Sequence, residues 1–229
     1  MAGSGVIDDY VTGLGHALRG PRGPRLDMIT EARDSLLDTA EALEGDGLER
    51  EEAERAAVEE FGTIEEIAPG YQEELSIAAG RRLAVVLFLT VPLTTAMWSL
   101  IWKVFPAAPM AYETRPDWFV PVARGLDILQ MLIGVLGGVA LFALGRGLRR
   151  IRRPRLVTRF LGLLVWAMLP VMLALSGALM FGSSGPDGFG DYLPGAGVAL
   201  MSLLFWGLQL YGAFTCLSLT RRAPFPARV

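Results

Sequence analysis

Apolar residues along this chain follow two regimes that change near residue 80. Before that point they recur at helical spacing among charged neighbours; beyond it they merge into four near-continuous runs, at residues 83–105, 126–144, 160–181 and 196–219. At 1.5 Å rise per residue the first run, roughly 23 residues, covers about 34 Å, enough to cross the hydrocarbon core of a bilayer. In hydrocarbon every backbone amide must find its partner within its own segment, so the pattern predicts four transmembrane helices. Ten-residue segments of strict alternation, the mark of a membrane β-barrel, do not occur.

The first 80 residues predict a small helical bundle. Tyr10, Val11, Leu14 and Leu18 share one face of a first helix, which Gly20-Pro21-Arg22-Gly23-Pro24 ends. Leu26, Ile29, Leu36, Ala40 and Leu43 line a second helix, closed by Gly45-Asp46-Gly47, where glycine can adopt the left-handed conformation. A third helix is expected over 49–61, stopped by Gly62. Thr63 with Glu66 three positions on has the form of a capping box and starts a short fourth helix, with Ile64 and Ile67 on its apolar side. No strand is expected.

Charge assigns each end of the runs to a side. Arg81 and Arg82 precede the first run, and Arg221, Arg222 and Arg228 follow the fourth. Arg146, Arg149, Arg150, Arg152, Arg153, Arg155 and Arg159 crowd the connection between the second and third. Basic residues flanking membrane helices are retained on the cytoplasmic side, and anionic lipid heads attract them there. Residues 182–195 hold no basic residue but have Asp187 and Asp191, while the first outer loop is mixed, with Arg115 and Arg124 against Glu113 and Asp117. This arrangement places both termini in the cytoplasm. Trp98, Trp102, Tyr112, Trp118 and Phe119 sit near the expected outer interface, where amphipathic rings are favoured.

The expected fold is therefore all-α. A cytoplasmic helical bundle (1–80) precedes a four-helix transmembrane bundle (81–222), and a short cytoplasmic tail (223–229) follows. Composition agrees: the 229 residues are 52% hydrophobic with a mean hydropathy of +0.41, too apolar for an ordinary soluble domain. Residues 1–80 carry 19 of the 24 acidic residues and six arginines, a formal −13, whereas the remainder carries +10. Twenty arginines against the single Lys103 suggest a GC-rich bacterial genome, hence a plasma membrane. The first 20 residues lack the apolar core of a cleavable signal peptide, so the first span is expected to direct insertion.

Chemistry has little to work with. His16 is the only histidine and Cys216 the only cysteine, which excludes a multi-histidine metal site and an internal disulfide. Gly182-Ser183-Ser184-Gly185 lacks the Lys-Ser or Lys-Thr of a phosphate loop. Ser176 and Ser202 fall inside spans, where hydroxyls bond to backbone. Gln130 and Gln209 are the only amides in the spans and are expected to hydrogen-bond between helices. Pro92 and Pro170 are expected to kink their helices, and Gly134 with Gly138 forms a GxxxG pair suited to close packing within the protein or in a homo-oligomer. Neither an enzyme nor a cofactor is expected.

The stretch Gly47-Leu48-Glu49-Arg50-Glu51-Glu52-Ala53-Glu54-Arg55-Ala56-Ala57-Val58-Glu59-Glu60-Phe61-Gly62-Thr63-Ile64-Glu65-Glu66-Ile67-Ala68 resembles the signature of the HAAS signalling domain, also called permease prefix domain 1. Upstream, Asp9-Tyr10-Val11, Leu14 and Leu18 resemble the rest, so that the likeness covers roughly residues 6–70. Glu49 stands where Ser or Asp often caps the third helix, and Ile64 where proline is common. The resemblance implies a cytoplasmic helical module joined to membrane helices, often encoded beside PadR-like winged-helix regulators or fused ahead of permease segments.

The expected function is that of a membrane-tethered signalling or regulatory protein. Its head would bind a cytoplasmic regulatory protein, with a PadR-like regulator the suspected partner. Candidate contact residues are Glu51, Glu52, Glu59, Phe61, Gly62 and Glu66. An acidic head would repel nucleic acid, so no direct contact with it is expected. The alternatives are a small transporter or permease accessory subunit, disfavoured by the sparse polar groups in the spans, and an anti-sigma-like sequestering protein.

Overall fold

In a computed structural model, which describes residues 5–105, 116–145, 154–182 and 193–220, the described chain is all-α. Seven helices follow in order: α1 Val6–Ala17, α2 Arg22–Gly45, α3 Arg50–Phe61, α4 Ile64–Val104, α5 Phe119–Gly145, α6 Pro154–Gly182 and α7 Leu193–Thr220. The described residues divide into two compact units, one of residues 5–78 with 218–220, the other of those between 79 and 217.

In the first unit, Ile7, Val11, Leu14 and Leu18 follow one another at three- and four-residue steps, and all are buried. They meet Ala32, Leu36 and Ala40 of α2, Ala53 and Ala57 of α3, and Ala68 and Leu75 of α4. Alanines at these contacts let the short helices approach closely around a few leucines. Two end signals act as expected. Gly47 takes φ +103°, so the Leu48 amide donates to Leu43 O (3.2 Å) and the Gly47 amide to Glu44 O (3.0 Å), the paired bonds of a Schellman cap. The Thr63 amide donates to Glu66 Oε2 (3.1 Å), one half of a capping box; the Thr63 hydroxyl donates to the same oxygen (2.9 Å).

Three expectations need correction. The second helix starts at Arg22, so Pro24 lies in its first turn, where the missing amide hydrogen would have had no intrahelical partner. Leu26 is 54% exposed: at 100° per residue it sits about 60° from the Leu36–Ala40 line, at the margin of the buried stripe. The short fourth helix and the first span are not separate elements but one 41-residue helix, α4. Tyr71 and Leu75 prolong its apolar stripe after Ala68, and no residue between Gly70 and Leu83 forces an end.

In the second unit four helices are long and apolar enough to cross a membrane, with mean hydropathies of 2.0, 2.2, 2.1 and 1.5 in their most apolar windows. No more than 22% of any window is buried inside the protein, so the large side chains turned outward need an apolar solvent. The chain is a multi-pass membrane protein. Leu83, Ala84, Leu87 and Val91 of α4 form the core with Ile133, Ala140 and Leu144 of α5, Leu161, Val165 and Met172 of α6, and Ala213 and Cys216 of α7.

Glycine sets the closest approaches. A Cβ on Gly137 would lie 2.9 Å from Leu87 Cβ, 3.2 Å from the Phe88 amide nitrogen and 3.3 Å from Ala84 O. Those on Gly134 and Gly138 would meet Val91 and Phe88, so the GxxxG pair serves α4–α5 packing within the chain. The helices that carry Pro92 and Pro170 continue beyond them. Around Pro92, the hydroxyls of Thr90 and Thr94 donate to Val86 O and Thr90 O (2.7 Å each), keeping these polar groups paired within the helix.

Candidate functional site

The Phe61-Gly62 pair that marks the resemblance sits where α3 turns into α4. Gly62 takes φ +102°, a backbone conformation that side chains rarely adopt, and this redirects the chain sharply. Tyr10 of α1 locks the turn: its hydroxyl donates to Gly62 O (2.8 Å), and its ring meets Phe61 edge-on at 6.0 Å and 85°. Burial, with smaller contributions from Tyr71, Glu65 and Glu66, pushes the Tyr10 phenol above its ordinary pKa, so it remains the hydrogen-bond donor. Phe61 and Gly62 are thus framework residues of the head, both only partly exposed.

The four candidate glutamates are all exposed, in different settings. Glu66 is engaged at the helix start; the Thr63 amide, then its hydroxyl, holds its carboxyl below the usual range. Glu51 accepts from Arg55 one helical turn away (2.6 Å), a solvent-exposed pair of small energetic weight. Glu52 and Glu59, seven residues apart, lie on a common face of α3 and point to water. The structure therefore separates the six candidates into a framework pair, a cap, an intrahelical pair and two open carboxylates.

The longest acidic feature lies on α2. Asp27, Glu31, Asp34 and Asp38 fall at i, i+4, i+7 and i+11, and with Thr30 and Ser35 they line an open groove on that helix. That spacing is legible in the sequence, but the Phe-Gly signature points to α3 instead. Elsewhere on the head, His16 and Arg25 line a groove between α1 and α2 with Val11, Thr12, Gly15 and Ile29. His16 is exposed, away from the acidic stripe.

Arg155 and Arg159 fall in the first turns of α6 and are exposed. Arg146, Arg149, Arg150, Arg152 and Arg153 lie outside the described residues, as do Arg221, Arg222 and Arg228. The span amides do bond between helices: Gln209 Nε2 donates to Thr90 Oγ1 (2.8 Å), and Thr95 Oγ1 donates to Gln130 Oε1 (3.3 Å). Trp98 Nε1 also donates to Ser202 Oγ (3.3 Å), a pairing that no local pattern announces. Among the described residues no group of three or more His, Cys, Asp or Glu side chains is placed to hold a metal ion.

Compared with known protein families, curated proteins and solved structures, the chain shows no significant match.

Proposed function

We propose that this is a membrane-tethered regulatory protein of a bacterial plasma membrane, with both termini cytoplasmic and its acidic helical head binding a basic cytoplasmic protein. The carrying observation is the open acidic surface of a head with its own apolar core: the α2 stripe Asp27, Glu31, Asp34 and Asp38, and Glu52 and Glu59 on α3. Such a surface speeds encounter with a cationic partner and disfavours anionic ones, nucleic acid included. The resemblance to HAAS domains supports a PadR-like regulator as that partner. The arginine-rich connection before α6 would then lie against the anionic inner leaflet.

The test is in-cell photo-crosslinking of the full chain, with a reactive residue at position 34 or 59 and an equivalent probe at lipid-facing position 139 as control. Capture of a winged-helix regulator from the head positions alone, lost on Asp34→Lys/Asp38→Lys, is the expected result. Capture of a sigma factor would reassign the partner to an anti-sigma role. Capture of an ATP-hydrolysing subunit from the span position alone would overturn the regulatory reading in favour of a permease accessory.

A further inference from the structure

Polar side chains are sparse in the spans, and three of them converge. Thr94 of α4, Gln130 of α5 and Gln209 of α7 line one cavity of about 50 Å³ at the meeting of all four spans, with Met168 and Met172 of α6 and Trp206 of α7. Thr94 is 7% exposed, in a helix surrounded by apolar side chains. Each of the three uses part of its hydrogen-bonding capacity on the protein. Thr94 donates its hydrogen to Thr90 O, Gln130 accepts from Thr95 at Oε1, and Gln209 donates through Nε2 to Thr90 Oγ1.

What they have left is complementary. Gln130 retains an Nε2 donor group, Gln209 an Oε1 acceptor, and Thr94 the lone pairs of its hydroxyl, with no further hydrogen-bond partner among the described residues. In hydrocarbon an unmade hydrogen bond costs far more than at a wet surface. The matching ligand must donate twice, accept once, carry no charge and be very small. Water satisfies all four conditions, and a cavity of this size holds one water or at most a few.

We propose that this cavity is a water site within the membrane bundle, bridging Gln130, Gln209 and Thr94 and so joining α4, α5 and α7. The inference rests on the membrane unit alone and is independent of the head's partner. It gives Thr94, Gln130 and Gln209 a shared role, since each supplies one hydrogen bond to the same site. A direct amide–amide contact between Gln130 and Gln209 would have left no such joint.

Hydroxyl-radical footprinting tests it. Synchrotron X-rays generate radicals from water in place, and these oxidise neighbouring methionines to sulfoxide. With the full chain in phospholipid nanodiscs, Met168 and Met172 are expected to oxidise several-fold faster than lipid-facing Met131 and Met201, which are 62% and 40% exposed outside the cavity. Gln130→Leu/Gln209→Leu should bring all four to a common slow rate. Thr94→Val, nearly isosteric and sparing both interhelical amide bonds, should lower the Met168 and Met172 rates even if the double variant fails to fold. Rates at Met168 and Met172 no faster than at Met131 and Met201 in the unsubstituted protein would overturn the proposal. Fast rates that neither variant alters would also overturn it.

Discussion

The head and the membrane unit are both helical, yet their helices are held together differently. In the head, short amphipathic helices bury a few leucines against alanines and turn carboxylates outward, where water solvates them. Among the spans the outward residues are as apolar as the inward ones: Val139 and Phe142 on α5 are 60% and 66% exposed. Expulsion from water therefore cannot draw one span to another. Close backbone approach at Gly137, side-chain packing of Val91 and Phe88 over Gly134 and Gly138, and the hydroxyl–amide bonds to Gln130 and Gln209 take its place. A large side chain at a small-residue contact should thus harm the spans most, and loss of a large one should harm the head most.

Gly137→Leu is the most damaging change expected. Its side chain would enter the α4 backbone near Phe88 and Ala84, and overpacking of this kind costs about 3 kcal/mol or more. Thermal unfolding in detergent micelles should show it, with Gly145→Leu near neutral because open space surrounds a Cβ there. Equal effects at the two positions would break the contrast between the units.

Leu36→Ala comes next, removing a fully buried side chain from the centre of the head for about 3 kcal/mol. Limited proteolysis should then cut within α1–α3 while the spans keep their helical circular dichroism. Loss of helicity from the spans as well would show that the two cores unfold together.

Tyr10→Phe keeps the ring against Phe61 but removes the bond to Gly62 O, for about 1 kcal/mol measured as a denaturation midpoint shift. An unchanged midpoint would leave Gly62 to make its turn without Tyr10.

The smallest effect is electrostatic. Because the folded Glu66 carboxyl is held below its ordinary pKa, its contribution is present above the usual glutamate range and fades as pH falls through the lowered value. By NMR titration Glu66 should protonate at lower pH than a glutamate in an unstructured peptide. Thr63→Val should raise that pKa only partly, since the backbone donor remains. A Glu66 that titrates at the ordinary glutamate value would remove the capping bond from the account.

Most of the secondary structure is legible in the sequence. Spans announce themselves by length because the bilayer sets a minimum, and glycine stops such as Gly47 and Gly62 act through local sterics alone. Proline is harder to interpret. Pro24, Pro121, Pro154 and Pro194 all lie in the first turns of helices, where the same residue that ends one element begins another. The continuity of α4 is hidden because its apolar stripe thins between Ala68 and Leu83, where buried Leu75 holds it to the head core. Of the candidate site, the acidity is legible from composition, but the separate roles of Glu51, Glu52, Glu59 and Glu66 depend on which neighbour each carboxylate meets.

The sequence by itself determined the all-α class, the four spans and the unequal division of charge, because these follow from period, length and count. Only the tertiary structure decided that Phe61 and Gly62 are framework, that the GxxxG pair is used within the chain, and that Thr94, Gln130 and Gln209 share one cavity. Such facts join residues tens of positions apart. Local pattern is set by neighbours along the chain, whereas partnership is set by how helices pack across it.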